Sequence, residues 1–480
     1  MLVTAAVVGA VLALTLSGTV SGVGWTLAAL AVAVAMPVVG WRPQRAVGAL
    51  LPRRVAVAES GWIPVAVALA VVPSVRDAPW LALLCLAAAV AAGSLGVVGR
   101  SSRSVVGGML AVPFAMVRGA AWAARGLGGL RGVAGLPRLG MSLLAGVALL
   151  VVFAPLLAGA DPAFGALLDA LVPRFDGSYA VARIVYFALG AAVVLAAAVL
   201  VAARTVPPLG PARPSPLRGV EWALPIGLLV ALFAAYVVTT LSTLFGSDEH
   251  IRTTTGLTYA EYARGGFWQL LAVSALTMAV VVAGLRWTPL RTPGDRLRVR
   301  LLLGGLVALT LVVVGSALYR MWLYQQAYGL TSLRLVVAAT EVWLAAGFVI
   351  MLVSVLRLRP DRPTRGVVAA GMLTLLVLAV LNPDRLVASQ NVERWRETGK
   401  IDVSTLGELS ADAAPVLATL PEPIRSCALT GLPPSLDRAA ADGWRAANLS
   451  RASAADLLGG SRPRCPDGLY RGPALLTGED

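Results

Sequence analysis

The chain has 480 residues, of which 58% are hydrophobic and only 14% charged, with a formal net charge of +15 and a mean hydropathy of +0.79. Soluble domains carry roughly a quarter charged residues, so a water-soluble protein of this length is excluded. The apolar residues form long runs and the basic ones cluster in alternate loops, which excludes the nucleic-acid partner that so basic a chain would otherwise suggest and implies a lipid bilayer instead.

A helix that spans a bilayer needs roughly 20 predominantly apolar residues. Runs of that kind predict about eleven spans, near 1–18, 22–41, 55–75, 79–99, 139–160, 184–203, 221–245, 266–285, 300–319, 331–356 and 366–382. The first run has no basic residues ahead of it and no small-residue cleavage site, so it reads as a retained helix rather than a signal peptide. The expected fold class is all-α: a polytopic transmembrane bundle with a small helical extracytoplasmic C-terminal domain. Its divisions are 1–138 for the N-terminal spans and a basic cytoplasmic connection, 139–382 for the core bundle and 383–480 for the tail.

Lys and Arg in short loops mark the cytoplasmic side. Arg42, Arg45, Arg53 and Arg54 follow the second span, and Arg100, Arg103, Arg118, Arg125, Arg131 and Arg138 follow the fourth. Further basic loops hold Arg204, Arg213 and Arg218, then Arg286 to Arg300, then Arg357 to Arg365. The intervening loops mix signs, with Asp161, Asp169 and Asp176 in one and Asp248, Glu249 and Glu261 in another. This alternation predicts a cytoplasmic N-terminus and a tail outside. The Ala- and Arg-rich usage, with Lys400 as the single lysine, points to a bacterium of high genomic GC and hence to its plasma membrane.

Residues 104–138 interrupt the spans with Gly, Pro, spaced Arg, Phe114 and Trp122. They read either as an interfacial helix on an anionic leaflet or as a basic loop with a partial hairpin. Neither a repeat of fixed period nor matched broken helices of the inverted-repeat kind is legible. In the tail, Asn382-Pro383-Asp384 opens a helix with a cap, a first-turn proline and an acid at the positive end, and Gly399 closes it. A second helix is expected from about Ser410, and a third from Ser435 through Trp444. Cys85 lies in a span as a packing residue. Cys427 and Cys465 both lie in the tail, where they are a disulfide candidate or two free thiols.

Catalytic and cofactor motifs are missing from the sequence: no phosphate-binding glycine loop, zinc signature or nucleophile elbow appears. The single histidine, His250, leaves little material for metal sites or triads. Asp248-Glu249-His250 reads as a solvated loop more readily than as a cation site. No catalytic residue, metal or cofactor is therefore expected. Ionisable residues inside spans cost about 3 kcal/mol or more each and point to function by default. Glu341, about ten residues into its span, is the clearest such case, either as an ion-coupling group or as one half of a structural pair. Arg334 lies two turns earlier on the same face, while Glu59 and Glu221 sit at span ends. Tyr319, Arg320, Trp322, Tyr324, Tyr328 and Arg334 form an aromatic and basic stretch, readable as an interfacial belt or as a lined pocket.

Four stretches carry motif-like residues: Ala160-Asp161-Pro162-Ala163-Phe164; Gly256 to Phe267 with Tyr262 and Arg264; Tyr319-Arg320-Met321 to Thr331; and the tail from Asn382. The tail stretch includes Asp384, Asn391, Arg394, Ile401-Asp402 and Leu409-Ser410-Ala411-Asp412-Ala413 with Pro415. In these stretches the chain resembles bacterial membrane proteins catalogued as domain of unknown function 4173, with 4153 a close relative, over roughly 140–420. The resemblance implies a multi-span membrane protein and brings no catalytic residues. Under the topology above, all four stretches fall at outer span ends or beyond. They suggest one extracytoplasmic site built from Asp161, Tyr262, Arg264, Arg320, Tyr328, Arg334, Asn382, Asp384, Asn391 and Arg394, or else a set of residues that docks the tail.

Three functional readings follow. One is an envelope-associated scaffold or sensor with protein partners and no turnover. The second is an ion-coupled transporter using Glu341. The third is a membrane-embedded enzyme acting on lipid-linked substrates through outer Arg residues.

Overall fold

A computed structural model of the chain describes residues 2–16, 21–46, 61–98, 219–244, 267–288, 292–358, 363–466 and 475–476, with a few single positions near 109 and 183–193. The expected spans at 139–160 and 184–203, the 104–138 connection, the Asp248-Glu249-His250 loop, and Asp161, Tyr262 and Arg264 lie outside the described residues or are described only at those single positions.

The fold is a helical membrane bundle. In chain order the apolar helices are α1 (Leu2–Thr15), α2 (Val23–Ala46), α3 (Trp62–Val75), α4 (Pro79–Val98), α5 (Gly219–Leu244), α6 (Phe267–Trp287), α7 (Pro293–Tyr328), α8 (Ser332–Leu356) and α9 (Pro363–Leu381). Four of them contain stretches long and apolar enough to cross a membrane: Pro79–Gly96, Pro293–Gln326, Ser332–Leu356 and Pro363–Leu381. In hydrocarbon every backbone polar group has to be satisfied within the helix, and the hydroxyls embedded here follow the same rule. Thr277, Thr310, Thr340, Ser354 and Thr374 each donate to the carbonyl four residues earlier, at 2.7–2.9 Å.

Two compact units divide the chain: Met1–Val75, Ala82–Gly210 and Asp437–Leu449 form one, and Arg76–Leu81, Pro211–Leu436 and Ser450–Asp480 form the other. In the first, Ala5, Val8, Leu12, Leu16, Ala28 and Ala35 make a core between α1 and α2. Thr26 donates to the Ala70 carbonyl at 3.0 Å. A short tail segment is bound here: Asn448 donates to the Pro73 carbonyl at 2.8 Å, and Val23 N–H donates to the Ala447 carbonyl at 2.9 Å.

In the second unit, Phe233, Leu303, Leu306, Phe348 and Met351 centre a core shared by α5 to α9. Trp343 of α8 donates to the Val367 carbonyl of α9 at 2.9 Å. Helix α7 runs 36 residues, about 54 Å at 1.5 Å per residue, against a hydrocarbon layer of about 30 Å. Its start is fixed by a capping box, in which Asp295 N–H donates to the Thr292 hydroxyl and Thr292 N–H to the Asp295 carboxylate, both at 3.1 Å. The aromatic stretch is the far end of this same helix. Tyr319, Trp322 and Tyr328 are exposed there, with Tyr319 and Trp322 stacked at 5.9 Å.

The tail adds α10 (Pro383–Thr398), β1 (Ile401–Asp402), α11 (Val403–Gly407), a 3-10 turn (Ala411–Ala413), α12 (Ala414–Leu417), α13 (Ile424–Ala428), α14 (Leu432–Asp442), a second 3-10 turn (Gly443–Ala446), α15 (Leu449–Leu458) and β2 (Leu475–Leu476). Asn382 caps α10 and Gly399 ends it in the left-handed conformation, φ 69°. The antiparallel pairing of β1 with β2 has no counterpart in the helix-only expectation. Val387, Ile401, Leu406, Leu417, Leu420 and Leu429 form the tail's own core, and Cys427 is bonded to Cys465, Cα to Cα 4.2 Å.

Asp402 caps α11, accepting from Thr405 N–H at 3.2 Å and from the Ser404 and Thr405 hydroxyls, both at 2.8 Å. Burial alone would raise its carboxyl, but these donors outweigh it and hold the group below the usual carboxylate range. Because the folded value is depressed, the contribution is present above about pH 4 and is lost as pH falls through the lower folded value. Asp402→Ala is expected to cost about 1 kcal/mol at neutral pH. Hydrogen exchange at Val403–Leu406 measures the cost, and the difference from wild type should shrink in strong acid.

Candidate functional site

The second unit gathers two groups of polar side chains around the ends of its spans. The first surrounds the turn between α7 and α8. Gly329 closes α7 at φ 78°, ψ 174°, a region open essentially to glycine alone. Thr331 then caps α8, its hydroxyl accepting from Arg334 N–H at 3.3 Å. The Arg334 guanidinium turns back over this turn, donating to the carbonyls of Tyr328 and Gly329 and lying 4.4 Å from the Tyr324 ring centroid. Tyr324 packs on Tyr328, their centroids 4.9 Å apart.

Helix α10 binds the same turn. Asn391 donates to the Leu330 carbonyl at 2.7 Å and to the Val387 carbonyl at 2.8 Å. A Cβ on Gly329 would sit 2.5 Å from the Asn391 side-chain oxygen and 3.4 Å from Arg394. Gly329→Ala therefore meets both strain and collision, and is expected to cost about 2–3 kcal/mol. Thermal unfolding of the purified protein checks this, and an unchanged melting temperature would show that the turn does not hold α10.

Asn382 also adopts a left-handed conformation, φ 56°, which asparagine tolerates, and its side-chain oxygen accepts from Arg385 N–H at 3.4 Å. That geometry leaves Asp384 buried, accepting from the Ser332 hydroxyl at 3.3 Å and from Ser410 N–H at 3.1 Å. One carboxylate thus joins α8, α10 and Ser410, which precedes the 3-10 turn Ala411–Ala413.

The second group is an ionic clasp formed by Arg76, Asp77 and Ala78, in the connection before α4, with the tail residues Ser410, Ala411, Asp412, Ser450 and Arg451. Its two carboxylates are exchanged between segments. Asp412 accepts from Asp77 N–H at 2.6 Å, from Ala78 N–H at 3.1 Å and from the Ser410 hydroxyl at 3.1 Å. Asp77 in return accepts from Ala411 N–H at 3.1 Å. Arg451 pairs with Asp77, their side chains 5% and 10% exposed. Arg76 lies 3.9 Å from Asp412 and donates to the Ala379 carbonyl at 2.6 Å, at the end of α9. Ser450 donates to Asp412. Burial lifts the Asp77 carboxyl above its ordinary value, against the pull of Arg451 and of the Ala411 N–H.

Of the residues singled out from sequence, the structure brings Tyr328, Arg334, Asp384, Asn391 and Arg394 to the α7–α8 turn, with Asn382 opening α10 two residues before Asp384. Arg320 lies eight residues back along α7. Glu341 is elsewhere: it is buried within α8, and its Oε2 has no hydrogen-bond partner among the described residues. Arg334 is committed to the turn, and among the described residues none of its hydrogen bonds goes to Glu341. Among the described residues no three His, Cys, Asp or Glu side chains group as metal ligands.

Asp77, Asp412, Arg76 and Arg451 were not among the residues singled out. Asp412 stands inside the quoted tail motif, and Asp77 is the acid in a connection of only three residues between two apolar runs. Those two placements were the available signal. Chemically, both groups do the same thing: charged and amide side chains bind main-chain groups of a distant segment, which holds the tail on the spans.

The family described as domain of unknown function (DUF4153) matches residues 63–420. This is the relative named beside 4173, and the match reaches further toward the N-terminus than the motifs that suggested it. No curated protein and no solved structure matches the chain.

Proposed function

We propose, for a chain that belongs to the DUF4153 family, a role as an envelope-associated scaffold or sensor in a bacterial plasma membrane. In this reading the N-terminus is cytoplasmic, and the tail is an extracytoplasmic body displayed to envelope proteins. The observation that carries it is the exchange of carboxylates between Asp77 and Asp412. Such an exchange makes the position of the tail depend on the arrangement of the spans, which suits either a fixed display or the transmission of a change in one to the other. A buried, hydrogen-bonded charge is costly to break, which supports a coupling of the two.

The test is affinity purification of the full chain from its native membranes beside Asp412→Ala. One set of partners with wild type, lost with the variant while both proteins fold, is the expected result. A second reading, ion-coupled transport, is favoured by the buried Glu341 carboxylate and its unpartnered oxygen. Substrate-dependent flux in proteoliposomes, abolished by Glu341→Gln, would replace the scaffold reading with this one.

A further inference from the structure

Within the first unit, α1, α2, α3 and α4 surround an apolar cavity of about 250 Å3. Its walls include Leu12 and Leu16 of α1, Trp25 of α2, Val67 of α3, and Val90 and Gly93 of α4. The lining runs over 25–33 on α2, 63–70 on α3 and 86–94 on α4, which is about 10–12 Å along each helix. The space is therefore a slot parallel to the helices. It is also open at the backbone itself, since a Cβ placed on Gly93 meets nothing within 4 Å.

What fills a slot of this kind follows from its walls and from the medium. An apolar cavity of about 150 Å3 stays dry and accepts benzene, so this one has room for on the order of ten carbons. Ser94 and Trp25 are the only lining residues with a polar side-chain atom, so water finds few partners in it. Val90 lines the slot and is itself exposed, as are Leu83 on α4 and Val34 on α2. In a membrane protein such a leucine and valine flank meets lipid hydrocarbon, so the slot shares a flank with the very material that fits it.

We propose that the cavity is a resident-lipid site that takes one acyl chain of a membrane phospholipid along α2, α3 and α4. The site is independent of the clasp, and it stands whether the protein scaffolds, senses or transports.

Native mass spectrometry of the detergent-purified full chain, delipidated and then incubated with micelles containing palmitoyl-oleoyl phosphatidylglycerol, tests it. Wild type is expected to keep one phospholipid at an activation energy that strips loosely held lipid. Gly93→Leu and Ala66→Phe each fill the slot from a different helix, and each is expected to lower that occupancy about tenfold. Gly305→Leu, on α7, where a Cβ also meets open space but outside the slot, should leave it unchanged. Circular dichroism identifies any filler that fails to fold, and the remaining one then decides. Wild-type occupancy in a folded filler overturns the proposal, as does a wild type that retains no lipid. Co-purification of a polyprenyl species in the slot in place of a phospholipid would overturn the assignment of the chain type.

Discussion

Arg451→Ala is expected to release the end of the tail from the α4 connection, at a cost of about 3–5 kcal/mol at neutral pH. The pair is buried on both sides, so removing the guanidinium leaves an Asp77 carboxylate in a poorly solvated place with the Ala411 N–H as its remaining close donor. The penalty is that of an uncompensated buried charge rather than the worth of a surface ion pair, which is about 0–1 kcal/mol. Hydrogen exchange at Ala411–Ala414 and at Arg451–Leu458 reads it. The pH dependence gives a second signature. Burial already raises the Asp77 carboxyl with Arg451 present, and without Arg451 it rises further. A carboxyl with a raised folded value contributes stability that is full below its unfolded value of about 4 and is lost as pH rises through the folded one. The defect of Arg451→Ala should therefore be small near pH 4 and full at pH 7. A defect that does not change with pH would show that Arg451 acts by packing alone.

Replacing both Cys427 and Cys465 by Ser is expected to loosen the tail by about 3–4 kcal/mol, the chain-entropy value for a closed loop of this size, given their separation of 38 residues. The bond ties α13 to the segment beyond α15, and both cysteines pack on the same small core. A core of that size has little stabilisation in reserve, so a crosslink matters more to it than to a large domain. The measurement is thermal unfolding of the tail with and without reductant. Labelling with a membrane-impermeant maleimide extends the test to topology. In intact cells Cys427 and Cys465 should react only after an impermeant reductant is added, while Cys85, buried in α4, should stay unlabelled until denaturation. Two thiols that react only in lysed cells, with no prior reduction, would place the tail in the cytoplasm and remove the extracytoplasmic part of the proposed function.

The range of an interaction decides whether a sequence reveals it. The helix opened by Asn382 and closed by Gly399 was legible because capping is local: a side chain bonds a backbone group three residues on. The span expected over 300–319 is legible as an apolar run, but the helix extends from Pro293 through Tyr328, because its polar ends follow helical geometry without adding to the apolar run. The clasp was not legible. Asp77 and Arg451 are 374 residues apart, and each reads alone as an ordinary loop or surface charge.

The candidate site shows the same division. Asn391, Arg394 and Arg334 sit in motif-like stretches near span ends, and α10 brings Asn391 and Arg394 against the turn beside Arg334. What they do there, Arg334 of α8 binding the carbonyls of Tyr328 and Gly329 and Asn391 of α10 binding that of Leu330, depends on Gly329 turning the chain so that one carbonyl points at α10 and two at Arg334. No local pattern encodes that direction.

The sequence by itself determined that the chain is a helical membrane protein and how the first tail helix is capped, because burial of apolar runs and satisfaction of backbone groups are decided within twenty residues or fewer. Only the tertiary structure decided which charges are buried, which acids exchange main-chain donors and where an acyl-sized slot opens. Each of these depends on residues from separate helices meeting at one depth, and packing sets that depth while the pattern along any one helix leaves it open.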